Sequence, residues 1–194
     1  NSTAPPRAIG ARLLWQGQVV AHGTGLEGHP LTLTIGASEP LRSWSPHEPN
    51  MYEVVVEFAT TNSTLSTPED SIVLTTAFRD LGIGVVQQGH ASAQPLARAF
   101  LNSEPLFITG VLHQGFWPDG VYTAATDAAL QNDLLVAKQL GFNAVRMHMK
   151  VESRRFYYHA DRLGMMILQD MPRCPMLTGR SEHWFTQELQ AMVR

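Results

Sequence analysis

The sequence contains a single cysteine, Cys174, among its 194 residues. One cysteine cannot form a disulfide within the chain, and it excludes a zinc site built from cysteine thiolates. Charged residues are also scarce, at 16% of the chain, and 14 basic side chains face 17 acidic ones. The sequence therefore offers no basic surface for nucleic acid, and we expect no nucleic-acid partner.

Long hydrophobic runs are missing as well. No apolar stretch approaches the roughly 20 residues that cross a bilayer, and the first residues lack the charged-then-apolar pattern of a signal peptide. We therefore expect a soluble, globular protein with no membrane partner. Because 44% of the residues are hydrophobic, the chain has ample material for a buried core. We expect its ligand to be neutral or weakly charged.

The first half of the sequence alternates apolar and polar residues, as half-buried β-strands do. The pattern is clearest at residues 31–35, 52–58 and 72–78. Clusters of turn-forming residues separate the predicted strands, at residues 23–25, 36–38, 45–50 and 62–64. Short strands with turns at this spacing predict an antiparallel β-sandwich.

After Phe100, predicted strands and helices alternate. Short apolar runs at residues 106–112, 143–147 and 165–168 predict strands, and amphipathic segments at 127–140, 153–163 and 182–193 predict helices. Three successive strand–helix units indicate a parallel sheet covered by helices. This stretch is far shorter than the roughly 250 residues of a complete eight-unit barrel. A small doubly wound sheet and a piece of a longer fold both remain open on periodicity alone.

Candidate ligand-binding side chains stand near the end of each predicted parallel strand or in the loop after it. They are His113, Trp117, Arg146, His148, Lys150 and Asp170. Because the carboxyl ends of parallel strands meet at one edge of a sheet, we expect these side chains on one rim. An aromatic ring covers the C–H face of a sugar, and charged groups bind its hydroxyls. The set therefore predicts substrate-binding residues of a carbohydrate site.

Most of these residues also have an alternative role. Arg146 and Asp170 can form an ion pair with each other, His113 can be a hydrogen-bonded loop residue, and Trp117 can serve local packing. A metal-dependent hydrolase using His113, His148 and Asp170 is a further alternative. No His-x-His pair follows the first strand, so we expect no metal. The glycines at 82 and 84 lack the third glycine of a dinucleotide motif, and we expect no cofactor.

Several segments together carry a resemblance to a known family. They are residues 44–52 (WSPHEPNMY), 70–73 with 78–80, 100–102 with 105, 110–120 (GVLHQGFWPDG), 133–146 (DLLVAKQLGFNAVR), 150–152, 156–158, 161–164 and 169–172. In this order and spacing the chain resembles glycoside hydrolase family 2, which includes β-galactosidases, β-glucuronidases and β-mannosidases.

The resemblance implies a multidomain β plus α/β fold. Residues 1–97 would form an immunoglobulin-like β-sandwich, and residues 98–194 the first three strand–helix units of a truncated (β/α)8 TIM barrel. The resemblance also implies that the Asn-Glu pair of the fourth strand, with its acid/base glutamate, and the nucleophilic glutamate of a later strand lie beyond residue 194. We therefore expect no catalytic residue within this chain.

The implied function is that of a fragment of a retaining β-glycoside hydrolase, β-galactosidase-like, acting on an oligosaccharide or glycoside. Such enzymes need two carboxyl groups roughly 5 to 5.5 Å apart, so we expect the isolated chain to be inactive. A non-catalytic carbohydrate-binding protein of the same architecture is the alternative. The habit of the family and two acceptor sequons, at residues 1–3 and 62–64, favour an extracellular or periplasmic location. The sequence determines neither the sugar nor the oligomeric state.

Single residues also match the pattern of the family. Arg146 matches the arginine that ends the second barrel strand and lies near the nucleophile. His148 follows it by two places, where many members have a histidine three places after. Lys150 and Glu152 match a less-studied subgroup, in which an acidic residue or asparagine is expected at the position of His113. The glycines that usually flank these motifs are replaced at Ala77 and Ser103.

Overall fold

The computed structural model describes residues 6–59, 64–86, 95–172 and 178–193. By its internal contacts the chain divides into two compact units. One consists of Asn1–Ile83 and Phe100–Glu104, and the other of Gly84–Ala99 and Pro105–Arg194. The chain thus passes between the units three times, and the single domain boundary after residue 97 stays a prediction.

The first unit contains a four-stranded antiparallel sheet with the order β2-β1-β3-β4. Its strands are β1 (Ala8–Trp15), β2 (Gln18–Leu26), β3 (Tyr52–Ala59) and β4 (Asp70–Thr76). Gln16 and Gly17 form a two-residue hairpin loop, and both have positive φ angles, of 49° and 80°. Two left-handed residues match the twist of the flanking strands, which is why a glycine suits this loop.

The structure confirms the predicted strand at residues 52–58 and shifts the one at 72–78 to β4. The strand expected at residues 31–35 is wrong, because this segment forms no strand. Its Leu33 and Ile35 nevertheless pack against a core formed by Leu13, Ala21 and Tyr52. The alternation of apolar and polar residues indicates which side chains are buried. It does not indicate whether the backbone forms hydrogen bonds with a neighbouring strand.

The structure does not confirm two of the expected turns. The turn expected at residues 23–25 is wrong, because this segment lies inside β2, opposite β1. The turn expected at 62–64 lies outside the described residues except for Thr64, and so do the sequon at residues 1–3 and Cys174.

Three further strands form a second sheet with the order β5-β6-β7. They are β5 (Leu81–Val86), β6 (Leu96–Leu101) and β7 (Glu104–Leu106). The loop between β6 and β7 consists of Asn102 and Ser103, which both have positive φ angles, of 52° and 69°. Because Leu106 belongs to β7, the parallel strand expected to begin there begins later.

The second unit contains a three-stranded parallel sheet with the order β8-β9-β10. Its elements are β8 (Gly110–His113), α1 (Asp127–Gln139), β9 (Ala144–Met147), α2 (Arg154–Leu163), β10 (Met166–Gln169) and α3 (Gly179–Met192). The parallel sheet and its three helices confirm the predicted strand–helix pattern. No helix within the described ranges is long and apolar enough to cross a membrane.

One face of the parallel sheet packs against α1 and α2. Val145 and Met147 point to this face and join a buried cluster with Leu134 of α1 and Phe156 of α2. The opposite face carries Arg146 between Leu112 and Leu168, its register partners on the neighbouring strands. All three of these side chains are exposed in the chain. The sheet therefore has a packed face and an open face.

The helix ends follow from local chemistry. Helix α1 begins at Thr126, whose Oγ1 accepts a hydrogen bond of 3.1 Å from the N–H of Ala129. Helix α2 ends at Gly164, which adopts the left-handed conformation. Helix α3 begins three residues earlier than expected, because Thr178 and Ser181 form a reciprocal capping box.

Candidate functional site

The open face of the parallel sheet carries a bidentate ion pair at its carboxyl edge. Arg146 Nε donates to Asp170 Oδ1 at 3.0 Å, and its terminal nitrogen donates to Oδ2 at 2.9 Å. The hydrogen bond from Arg146 holds the pKa of Asp170 below its ordinary value of 3.8, so this carboxylate stays ionised. The ion pair expected as an alternative role for these two residues is therefore confirmed.

His148 lies on the same side of the sheet, beyond the end of β9. Its Nδ1 is 3.1 Å from Nε2 of Gln114, which follows β8. Gln114 lies two positions after Leu112, and His148 lies two positions after Arg146. Because side chains alternate along a strand, Gln114 and His148 share the open face with them. The open face thus gathers Gln114, Arg146, His148 and Asp170. Gln114 also follows the first predicted strand, and the sequence places it on the same rim.

His113 points to the packed face instead. Its Nε2 is 2.8 Å from Asp133 Oδ2 on α1, and its Nδ1 accepts the N–H of Gly115 at 3.0 Å. Because a backbone N–H can only donate, the proton of the neutral ring belongs on Nε2. The ring also contacts Phe156, with centroids 5.5 Å apart. Both nitrogens of His113 therefore serve the fold, and the structure does not bring this residue to Arg146.

Trp117 is half-buried and packs against the buried cluster of the second unit. Its Nε1 is enclosed and has no hydrogen-bond partner among the residues that the structure describes. On the same loop, Phe116 and Tyr122 are 64% and 51% exposed. The aromatic surface of this loop therefore consists of Phe116 and Tyr122, which the sequence reasoning missed, and not of Trp117.

Lys150 is buried, with 5% of its side chain exposed. Its Nζ donates to the carbonyl oxygens of Gly115 and Tyr122, each at 2.8 Å, and to the equally buried carboxylate of Glu152. An ammonium group has three donors, and all three are used. Lys150 therefore ties the loop after β8 to the loop after β9, and it offers no free donor to a substrate.

Gln169 joins the ends of β9 and β10. Its Nε2 donates to the carbonyl oxygens of Lys150 and Asp170, each at 2.7 Å, and its Oε1 accepts the hydroxyl of Tyr157 at 2.6 Å. Burial raises the pKa of Tyr157, so its hydroxyl keeps the proton that it donates. This network fixes the main chain beside Asp170, and with it the position of the ion pair to Arg146.

The three residues of the metal alternative do not converge. His113 lies on the packed face, whereas His148 and Asp170 lie on the open face. Within the described ranges, no group of three histidine, cysteine, aspartate or glutamate side chains is arranged to hold a metal ion. The geometry therefore gives this alternative no support.

Solved structures with a similar fold include glycoside hydrolases. No family model matches the sequence. A glycosyl hydrolase family 2 member from Bacteroides cellulosilyticus is 19% identical with a TM-score of 0.66, and the match covers 88% of this chain and 21% of that chain. A β-glycosidase from Bacteroides vulgatus is 24% identical with a TM-score of 0.66, covering 88% and 20%.

A third similar structure is a β-glucuronidase from Bifidobacterium dentium complexed with coumarin-3-O-glucuronide. It is 17% identical with a TM-score of 0.70, and the match covers 86% of this chain and 25% of that chain. The chain thus spans between a fifth and a quarter of the length of these three structures. The resemblance indicated by the sequence motifs is confirmed at the level of the fold: this chain has the fold of a segment of glycoside hydrolase family 2 structures.

Proposed function

We propose that this chain is part of a retaining β-glycoside hydrolase of family 2, which hydrolyses O-glycosyl bonds of an oligosaccharide or glycoside. In this proposal residues 1–97 are its immunoglobulin-like sandwich and residues 98–194 the opening three units of its (β/α)8 barrel. The antiparallel and parallel sheets support this assignment. The observation that carries the proposal is the match of 86 to 88% of the chain to glycoside hydrolase structures, at TM-scores of 0.66 to 0.70.

The state of the carboxylates supports a catalytic pair outside this chain. A retaining glycosidase needs one carboxylate free to attack and one carboxyl group free to move a proton. Near the predicted site, Asp170 is held by Arg146, Glu152 by Lys150 and Asp133 by His113. Each of these three carboxylates is paired with a side chain of the chain itself, which supports a structural role for it. We therefore propose that the isolated chain does not hydrolyse glycosides.

Arg146 would have an electrostatic role and would not take part in breaking or forming covalent bonds. Of its five N–H donors, two bind Asp170. The Arg146 side chain is 56% exposed, so the remaining donors are accessible on the open side of the sheet, where a nucleophilic carboxylate or the hydroxyls of a sugar would lie in a closed barrel. Asp170 prevents the guanidinium from swinging away. In this arrangement Arg146 stabilises the negative charge of a partner without taking part in proton transfer.

A neutral sugar suits this edge better than a uronic acid. A glucuronide carries a carboxylate that needs an uncompensated cation, as an Arg or Lys side chain would supply. In this proposal Arg146 serves the nucleophile, and Lys150 has all three of its donors in use, so neither is left for a uronate. This arrangement supports a neutral sugar, of which the proposed β-galactoside is one, although the similar structures include β-glucuronidases.

The proposal is tested with the protein encoded by the complete reading frame and, beside it, the 194-residue chain. Each is assayed on 4-nitrophenyl β-galactoside, β-glucoside, β-mannoside and β-glucuronide. We expect the longer protein to hydrolyse the galactoside and the chain alone to hydrolyse none. Turnover by the chain alone that is lost in Glu152→Gln or Asp170→Asn contradicts the proposal. A longer protein that binds glycosides without cleaving them supports the carbohydrate-binding alternative.

A further inference from the structure

An exposed aromatic pair lies on the loop between β8 and α1. The rings of Phe116 and Tyr122 are 5.5 Å apart and inclined by 60°. Phe116 is 64% exposed and Tyr122 51% exposed, although rings of this size usually bury most of their surface. Two adjacent exposed rings form an apolar patch of the kind that a ligand covers.

The main chain that bears these rings is fixed. Lys150 Nζ binds the carbonyl oxygens of Gly115 and Tyr122, near the two ends of the segment. Between them, the backbones of Trp117 and Val121 pair through two hydrogen bonds of 2.9 and 3.0 Å. The ammonium of Lys150 also lies 4.4 Å from the centre of the Tyr122 ring. A platform held in this way costs little entropy to order when a ligand binds.

A cleft of about 470 Å³ adjoins Tyr122 on the packed side of the sheet. It is lined by residues 122–126 of one loop, by 150–153 of the next, and by the first turns of α1 and α2. The hydroxyls of Thr123 and Ser153 line it, and the structure shows neither bonded to another described residue. This volume lies within the range of small-molecule sites.

The charges that line the cleft cancel in pairs. Arg155 binds Asp127 through two hydrogen bonds of 2.8 and 2.9 Å, and Lys150 binds Glu152. Because each charge already has a counter-ion, the lining offers a charged ligand no uncompensated charge. An uncharged ligand with hydroxyl groups can use the free hydroxyls and leave both pairs intact. The compensated lining therefore selects a neutral ligand.

We propose that Phe116, Tyr122 and this cleft form a binding subsite for an uncharged pyranose unit of a glycan. The C–H face of the sugar ring would lie on the aromatic pair, and its hydroxyls would meet Thr123 and Ser153. The subsite is separate from the open face that carries Arg146. The inference rests on the proposed function, because the sugar would be a unit of the glycan on which the longer protein acts.

The test is an NMR titration of the isotope-labelled 194-residue chain with methyl β-D-galactopyranoside, methyl β-D-glucopyranoside and methyl β-D-glucuronide. We expect at least one neutral glycoside to shift the ring signals of Phe116 and Tyr122. Phe116→Ala should weaken that binding about 10-fold or more. Phe116→Leu, which keeps apolar surface without an aromatic face, should weaken it similarly. The matched control is Phe107→Ala, because Phe107 is also exposed, at 71%, but lies before β8, at the other edge of the sheet.

Three results overturn the subsite: no ring shift with either neutral glycoside, shifts with the glucuronide alone, or equal effects of Phe116→Ala and Phe107→Ala. The assay is independent of hydrolysis. If the longer protein hydrolyses glycosides but the rings show no shifts, the subsite proposal is wrong and the proposed enzyme activity stands. If the rings shift but the longer protein hydrolyses nothing, the enzyme proposal is wrong and the subsite stands.

Discussion

His113 and Arg146 lie on adjacent parallel strands and project from opposite faces of their sheet. Arg146 is the register partner of Leu112, and His113 that of Met147, so the two side chains are one position out of phase. Because side chains alternate along a strand, that single step separates them. His113 is held by the helices, through Asp133 and Phe156. Arg146 is left on the face available for chemistry.

The loop between β6 and β7 yields a stabilising substitution. Ser103 has a φ of 69°, a conformation that glycine adopts without steric cost. We expect Ser103→Gly to raise the free energy of unfolding by about 1 kcal/mol. Thermal and urea unfolding of the 194-residue chain measure the change.

The neighbouring position provides the control. Asn102 also has a positive φ, of 52°, but its side chain accepts the N–H of Asp80 and donates to the carbonyl of Trp44, each at 3.0 Å. Asn102→Gly should therefore lower the free energy of unfolding by about 1 to 2 kcal/mol. If both glycines have the same sign of effect, strain is not what distinguishes the two positions.

Gly115 is required by the buried ion pair beneath it. Its φ is 67°, and a Cβ at this position would lie 2.5 Å from both Lys150 Nζ and Glu152 Oε1. Gly115→Ala should displace the pair and lower the free energy of unfolding by about 3 kcal/mol or more. Gly141 is the matched control, because it has a φ of 89° with no atom near its Cβ position. Gly141→Ala should cost only about 1 kcal/mol, and an equal loss in the two variants would contradict the role of the ion pair.

Acid should loosen the contact between α1 and α2. Arg155, and then His159, hold the pKa of Asp127 well below its ordinary value of 3.8. The stabilisation from a carboxylate with a lowered pKa is complete above the unfolded-state pKa and is lost as pH falls toward the folded-state value. We expect the melting temperature of the chain to exceed that of Asp127→Asn at pH 6. The difference should shrink as pH falls below about 4.

A constant difference in melting temperature from pH 6 to pH 2 would show that Asp127 stabilises the helices without its charge. Asp170 and Glu27, whose pKa values are also lowered, are present in both proteins. Their titration therefore affects both curves alike and does not enter the difference.

Periodicity predicted the elements of the second unit well because each element is buried on a regular face. Leu130 and Leu134 of α1 meet Val145 of β9 in one cluster, as their spacing indicates. In the first unit the same signal failed at residues 31–35, which bury Leu33 and Ile35 without a strand partner. The burial of side chains determines the alternation of apolar and polar residues. Strand pairing depends on backbone that is distant in the sequence, which this alternation does not describe.

The candidate site was predicted in location but not in orientation. All six predicted residues lie at the carboxyl ends of strands of the parallel sheet or in the loops that follow, yet only Arg146, His148 and Asp170 share the open face. The substrate-binding role of each stays a prediction. Lys150 is occupied because Gly115, Tyr122 and Glu152 converge on it from two loops. These contacts join loops that are distant in the sequence, and the spacing of residues along the sequence does not predict them.

The most direct test of the account is the kcat of Arg146→Met in the longer protein. Its matched control is Arg7→Met, because Arg7 forms a similar bidentate pair with Glu27, at 3.0 and 2.8 Å, in the first unit. We expect Arg146→Met to lower kcat about 100-fold without changing the melting temperature appreciably, and Arg7→Met to leave kcat unchanged. A kcat that Arg146→Met leaves intact, or that both substitutions lower equally, would contradict the assignment of the open face as the site of chemistry.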